Sequence, residues 1–157
     1  MSLESVRAFF AEHAPDIAPV VMEASTATVS EAAQTLGVED GQIAKTLAIK
    51  VGDERLLVVM AGTGRLDNRK TKAAFGDRPR MLPPDEVLEL TSHPVGGVCP
   101  FGLPQPLRVC CDISLRRYAE VWPAAGSTTS SVCLTPERLA ELVNGEWVDV
   151  CQAVADA

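Results

Sequence analysis

Lys45 is the residue most out of keeping with its surroundings. It lies in IAKTLAIKV, residues 43–51, whose alternation sets Ile43, Lys45, Leu47, Ile49 and Val51 on one face of a strand. Ala44, Thr46, Ala48 and Lys50 fall on the other face. Lys50 is where a solvated lysine belongs, whereas Lys45 interrupts a row of large apolar side chains. An ammonium there loses hydration and calls for an anion or a hydrogen-bond acceptor. Two readings stay open: the side chain snorkels past a sheet edge to water, or it points into a pocket that takes a phosphate or carboxylate.

The second chemical feature is SHPVGGVCPFGLP, residues 92–104, which sets Cys99 and His93 among glycines and prolines. A thiol nucleophile would need His93 as its base, but no acidic residue in the loop orients that imidazole and nothing lowers the thiol pKa. A metal site finds little support. The five cysteines, Cys99, Cys110, Cys111, Cys133 and Cys151, form no C-x-x-C pair, and the chain has only two histidines. Cys110 and Cys111 are neighbours on a strand and point to opposite faces. No metal or cofactor is expected, and the cysteines read as small buried hydrophobes in a reducing compartment. The remaining reading is a shaped backbone. Glycines permit positive φ and close approach of a ligand, Pro100 fixes the turn, and unpaired amides can gather around an anion or a developing oxyanion.

A third stretch, AAGSTTSSVCL, carries five hydroxyls from Ser127 to Ser131 after Gly126. It is either an ordinary loop or one wall of a polar pocket. GTGR at 62–65 has neither the length nor the lysine of a phosphate-binding P-loop.

The elements that must position these residues can be read from caps and periodicity. Residues 3–13 carry apolar positions at helical spacing, and IAPVVM is a short strand broken by Pro19. TVSEAAQTLGV is a helix with Thr28 as N-cap, Glu31 closing a capping box and Gly37 as its stop. IAKTLAIKV and RLLVVMA form a hairpin through the GDE turn. LDNRKTKAAFG is a basic helix between Asp67 and Gly76, and PPDEVLEL is a short helix with proline at its start. LRVCCDI is a strand and SLRRYAEV a short helix or turn. Thr135 caps PERLAELV, and EWVDVC is a last strand. Strands and helices mix without regular βαβ alternation. The expected fold is therefore α+β, one domain over residues 1–157, with a mixed, largely antiparallel sheet and flanking helices.

At 157 residues the chain can bury a sizeable core. Runs such as LLVVMA are too short to span a bilayer, and the first residues carry charges rather than a leader's apolar stretch. A soluble cytoplasmic protein without a membrane partner is expected. The net charge of −7 argues against a broad nucleic-acid-coating surface, DNA included. The charge is uneven, however. Residues 65–80 hold Arg65, Arg69, Lys70, Lys72, Arg78 and Arg80 against Asp67 and Asp77, so this window is +4 and the remainder −11. It is either a solvated helix face or a phosphate-contacting patch.

Taken together, three blocks resemble the YbaK and prolyl-tRNA synthetase-associated editing domains, which act as free-standing aminoacyl-tRNA deacylases. They are STATVSEAAQTLGVEDGQIAKTLAIK, HPVGGVCPFGL with its G-x-x-x-P loop at Gly96–Pro100, and AAGSTTSSVCLTPERLAEL; the resemblance spans roughly residues 20–150. It implies hydrolysis of the ester joining a wrong amino acid to the 3′ end of a tRNA. Lys45 would hold the substrate end. Gly96, Gly97, Val98, Cys99 and Pro100 would cradle the aminoacyl group and present amides near its carbonyl. No protein nucleophile is implied; the terminal ribose hydroxyl and a positioned water assist. Ser25, Thr26, Thr28, His93, Phe101 and Gly102 would wall the pocket, with Gly126, Ser127, Thr128 and Ser131 opposite.

Arg65, Arg69, Lys70 and Lys72 would meet the tRNA acceptor end, and a synthetase is a further implied partner. YbaK proper has an acidic residue near the position of Ser131. Hydroxyls there, with STAT and CPFG, resemble instead the sister deacylases that remove alanine, 2-aminobutyrate or similar small residues from proline tRNA. Two rival readings are a non-catalytic module that docks on tRNA or a synthetase, and a Cys99-dependent hydrolase of a small ester or thioester.

Overall fold

The structure is a computed structural model and describes residues 2–152. Helix α1 (Ser2–His13) buries Val6 and Phe10. A two-residue strand β1 (Val20–Val21) precedes α2 (Val29–Leu36), whose first turn is capped by the Thr28 hydroxyl accepting from the Glu31 N–H. Gly37, at φ 72°, takes the left-handed conformation that ends α2. The expected capping box is only half formed, because the Glu31 carboxylate accepts from Ser25 Oγ at 3.1 Å.

Strands β2 (Ile43–Val51) and β3 (Glu54–Ala61) form the expected hairpin, with Lys45 opposite Met60 and Lys50 opposite Arg55. Helix α3 (Asn68–Phe75) is capped by the Asp67 carboxylate, which accepts from the Lys70 N–H, and closed by Gly76. Strand β4 (Pro79–Met81) overlaps the end of the basic window and is too short to announce itself by alternation. After α4 (Pro84–Thr91) come β5 (Arg108–Asp112), a 3-10 turn over Ile113–Arg117, β6 (Trp122–Pro123) and β7 (Ser130–Ser131). Helix α5 (Pro136–Val143), capped by Thr135, and β8 (Glu146–Val148) complete the order.

The main sheet runs β4-β2-β3-β5-β8. It is antiparallel at β4-β2-β3 and parallel at β3-β5-β8, with β6 added parallel to β2. The fold is thus the expected α+β type with a mixed sheet. Strands β1 and β7 form a separate antiparallel ribbon.

Period-two alternation divides the core. Ala44, Ala48, Leu57, Val59 and Cys111 pack on one face with Phe10, Phe101 and Leu139. Ile49, Val51, Leu56, Val58, Met60 and Cys110 pack on the other with Val150 and Cys151. Cys110 and Cys111 fall in different clusters, as neighbours on a strand must. Burial of each large apolar side chain contributes about 1.5–3 kcal/mol.

One feature of the sheet creates the site. Beyond β3, the outer edge of β2 is covered by β6 at Ile43 and Ala44 and by β4 at Ile49 to Val51. The Leu82 N–H extends the β4 side by donating to the Ala48 carbonyl at 3.1 Å. Lys45, Thr46 and Leu47 are left on an open edge, each only half-buried. Main-chain polar groups alternate sides along a strand, so Thr46 turns its N–H and C=O toward the same edge as the Ala48 carbonyl.

Candidate active site

A cavity of about 260 Å³ fills this break in the edge. Lys45 and Thr46 both line it, although consecutive strand residues point to opposite faces; the missing neighbour strand makes this possible. On the Thr46 face the β2 row is Ala44, Thr46, Ala48, and these small side chains leave space where large ones would fill it. Thr26, Thr28 and the start of α2 line it, together with Gly96, Val98 and Ser131. The first turn of α2 adds the partial positive charge of a helix N-terminus.

Lys45 is the strongest electrostatic feature. Burial lowers its pKa, and nearby Arg65 pushes it down further. Among the described residues no carboxylate comes within ion-pair distance of it. A half-dehydrated cation without a counter-ion makes this a site for an anion. Two hydroxyls in the same cavity are also unpartnered: Oγ1 of Thr26, a residue 5% exposed, and Oγ1 of Thr46.

The glycine loop is held by its neighbours rather than by its own side chains. The Gly97 N–H donates to the Pro94 carbonyl at 2.9 Å, and the Gly97 carbonyl accepts from the Gly126 N–H at 3.0 Å. The Thr26 N–H donates to the Thr128 carbonyl at 2.7 Å. Residues 26–28, 96–98 and 126–128 therefore meet at one junction. A Cβ on Gly97 would lie 2.7 Å from Ser127 N, and one on Gly96 (φ 89°) would lie 2.9 Å from the Ala27 Cβ. Only glycine fits at either position. Among the described residues the N–H groups of Gly96 and Val98 have no acceptor, and both residues line the cavity.

Three comparisons bear on this arrangement. Residues 23–142 match the aminoacyl-tRNA editing domain. The chain belongs to that family. An uncharacterised Bacillus subtilis protein, YwhH, is 46% identical, with 97% of this chain and 98% of that protein covered. A candidate Cys-tRNA(Pro)/Cys-tRNA(Cys) deacylase of Enterococcus faecalis, EbsC, is 28% identical over 75% of this chain and 73% of its own. A solved structure of a candidate trans-editing enzyme for prolyl-tRNA synthetase superposes with a TM-score of 0.89 at 34% identity, covering 97% and 98% of the two chains.

Within this editing domain the sequence-predicted residues separate into two groups. Lys45, Thr26, Thr28, Gly96, Val98 and Ser131 line the cavity. The others fall elsewhere. Ser25 supports α2 through Glu31. Phe101, fully buried, packs on Phe9 and Phe10 of α1, with ring centroids 5.6 and 4.8 Å away. His93 is fully buried, and its Nε2 lies 2.7 Å from the Phe101 carbonyl. Nε2 must carry the proton in that contact, and burial lowers the imidazole pKa. Neither Phe101 nor His93 walls the cavity: α1 packs on Phe101, and His93 is a buried loop residue whose ring is bonded to the backbone.

Cys99 is also fully buried, and burial pushes its thiol up to about 12. Its Sγ lies 3.5 Å from His93 Nε2, whose proton is directed to a carbonyl. Pro100 faces a different cavity beside Phe9, and Gly97 braces Ser127. Gly102 and Gly126 admit the α1 backbone, where a Cβ would meet Ser5 and Ser2 respectively. Ser127 pairs its hydroxyl with that of Ser130 at 2.6 Å, and Thr128 serves through its carbonyl.

Of the basic residues, Arg65 lines a neighbouring cavity that also touches Lys45. Arg69 and Lys72 lie on α3 and line neither of these cavities. Lys70 is bound to Asp149 at 3.0 Å. Sequence reasoning missed Thr46. Its position opposite the lysine in the alternation was visible, but the open edge that exposes it depends on distant pairing.

Proposed function

We propose that this chain is a trans-editing aminoacyl-tRNA deacylase. It hydrolyses the ester joining a mischarged small amino acid (alanine, 2-aminobutyrate or cysteine) to the 3′ end of tRNA, with proline tRNA as the leading substrate. The observation that carries this is the uncompensated Lys45 ammonium at the mouth of a small cavity furnished with hydroxyls and free amides. A cavity of about 260 Å³ suits a small aminoacyl group rather than a drug-sized ligand, whose sites begin at about 300 Å³.

The chemistry follows from these groups. The ester carbonyl lies toward Gly96 and Val98, whose N–H groups stabilise the negative charge that develops when water attacks. Lys45 holds the anionic tRNA end, and Arg65 assists it. Collapse of the tetrahedral intermediate expels the ribose oxygen, with the adjacent ribose hydroxyl donating a hydrogen bond. RNA is therefore the substrate and DNA is not. Cys99 takes no covalent part, because a thiol raised to about 12 and lacking a free base stays protonated. The reaction calls for no cofactor. The working compartment is the cytoplasm, and the domain acts alongside prolyl-tRNA synthetase. No helix among the described residues is long and apolar enough to cross a membrane.

The test is deacylation of alanyl-, 2-aminobutyryl-, cysteinyl-, seryl- and prolyl-tRNA by wild type and Lys45→Ala. Release of a small mischarged residue, sparing of prolyl-tRNA and loss of release in Lys45→Ala are expected. Retention of tRNA with every ester intact would instead favour the docking module.

A further inference from the structure

His93 is a poor choice for a position that only fills space. Its imidazole is fully buried, and Nδ1 has no hydrogen-bond partner among the described residues. An unpaired buried polar atom destabilises a fold, and a leucine there would bury none. What the ring contributes is the N–H at Nε2, which donates to the Phe101 carbonyl at 2.7 Å. Burial lowers the imidazole pKa, so the ring stays neutral and its one proton stays in that bond.

The bond joins the two ends of the loop that carries the free amides. At the first end, the His93 N–H donates to Thr91 Oγ1 at 3.1 Å, and the Thr91 hydroxyl donates to the Val87 carbonyl at 2.7 Å. Ser92, at φ 67°, turns the chain between them, its N–H donating to the Leu88 carbonyl at 2.8 Å. His93 is thus moored to α4. At the other end, the Phe101 ring packs on Phe9 and Phe10 of α1. Gly102 follows, so close to α1 that a Cβ would lie 2.6 Å from the Ser5 carbonyl oxygen. The imidazole ties an anchor on α4 to an anchor on α1.

The backbone between these anchors needs such a tie. Pro94–Gly97 is a tight turn closed by the Gly97 N–H on the Pro94 carbonyl, with Gly96 at φ 89°. Two adjacent glycines open many other conformations to it. The Gly96 and Val98 N–H groups, without acceptors among the described residues, do nothing to hold it. Yet amides that stabilise a developing oxyanion act only when they are already aimed at it.

We infer that His93 is a positioning residue for the deacylation: by closing residues 93–101 into a ring, it aims the Gly96 and Val98 amides at the ester carbonyl without touching the substrate. This role rests on the deacylase reading for the reaction that it serves. The Phe101 carbonyl has a second, weaker donor in Cys99 Sγ at 3.9 Å. That thiol lies inside the loop, so it cannot tie the two ends together.

The experiment compares wild type, His93→Leu and His93→Gln by thermal melting, by kcat and KM for alanyl- and cysteinyl-tRNA, and by the amide NMR shifts of Gly96, Gly97 and Val98. Leucine removes the orphan nitrogen but has no donor. Glutamine brings an amide N–H of similar reach, together with further polar atoms to bury. His93→Leu should melt close to wild type or above it. It should nevertheless lose kcat about a hundredfold with KM changed less than about threefold, as misplaced catalytic groups do. His93→Gln should melt lower and keep most of kcat. The three amide shifts should move in the leucine variant and return toward wild type in the glutamine variant. His93→Met, also without a donor and more adaptable in shape, stands in for leucine should that variant not fold.

A leucine variant with wild-type kcat overturns the positioning role and leaves the proposed function standing, as does activity that follows the melting temperatures instead of the donor. If wild type cleaves neither ester, the proposed function fails on these substrates and the shifts decide alone. Unmoved loop amides in the folded leucine variant then overturn the tie, whereas moved amides restored by glutamine uphold it.

Discussion

The Cys99 thiol lies 3.5 Å from His93 Nε2, the spacing of a nucleophile and its base, yet neither side chain is exposed to solvent. Burial raises the thiol to about 12 and lowers the imidazole, so both stay neutral around pH 7. Cys99→Ala should therefore retain deacylation within about threefold. Iodoacetamide at pH 7.5 should leave wild-type activity intact. The substitution should lower stability by about 1 kcal/mol, the cost of a small buried deletion, read from the urea midpoint. Complete loss of turnover in folded Cys99→Ala would restore the thiol mechanism.

Lys45 should show the opposite pattern, with activity abolished and stability kept. Its folded pKa lies below the 10.5 of a free lysine, chiefly through burial. Between those two values the unfolded chain holds a proton that the folded chain has released, so this group's contribution to stability rises as pH climbs through that window. Below the window the fold carries a cation short of water. Lys45→Met should thus melt at or above the wild-type temperature at pH 7, with the difference shrinking toward pH 10.5. Wild-type turnover should fall on the alkaline side before an ordinary lysine would titrate. A Met variant that melts well below wild type would show that the Lys45 ammonium stabilises the fold.

Gly97 tests the three-segment junction. A Cβ there would press on the Ser127 nitrogen, and backbone cannot swing aside as a flexible side chain does. Gly97→Ala should cost about 1–3 kcal/mol as overpacking and reduce kcat/KM by at least a hundredfold. Gly52→Ala, strained at φ 61° but with open space around its Cβ, should lose stability alone. Equal activity losses in the two variants would remove the junction's special role.

Thr46 bears on which amino acid is released. Its Oγ1 is buried without a partner, so Thr46→Val, which preserves shape, should be neutral or stabilising. If the hydroxyl instead meets a substrate hydroxyl, the variant should lower the ratio of seryl- to 2-aminobutyryl-tRNA deacylation about tenfold, the effect of about 1.4 kcal/mol from one hydrogen bond. Competition kinetics on the two esters read this directly, and an unchanged ratio would place Thr46 outside the side-chain pocket.

How much of this could be read from the chain depended on range. The caps at Thr28, Asp67 and Thr135, the β2–β3 hairpin and the anomaly at Lys45 are local, and each appears where its short pattern says. The open edge beside Thr46 was invisible, because it arises where β4 and β6, far apart in sequence, both stop short along β2. Phe101 looks like a pocket residue until α1 is laid over it, and His93 until its ring turns to the Phe101 carbonyl. Lys70 looks available until Asp149, 79 residues away, closes on it.

The interrupted edge of β2 has a consequence for solubility as well as for chemistry. An exposed strand edge invites pairing with the edge of another molecule, and long uncovered edges are where aggregation begins. Here β6 and β4 reduce the uncovered length to Lys45–Leu47, enough to admit a ligand but too short to template a foreign strand, and the Lys45 charge stands on it. Loss of the Pro79–Met81 segment would lengthen that edge through Val51. Such a variant should cease to edit and begin to self-associate, one lesion producing both faults.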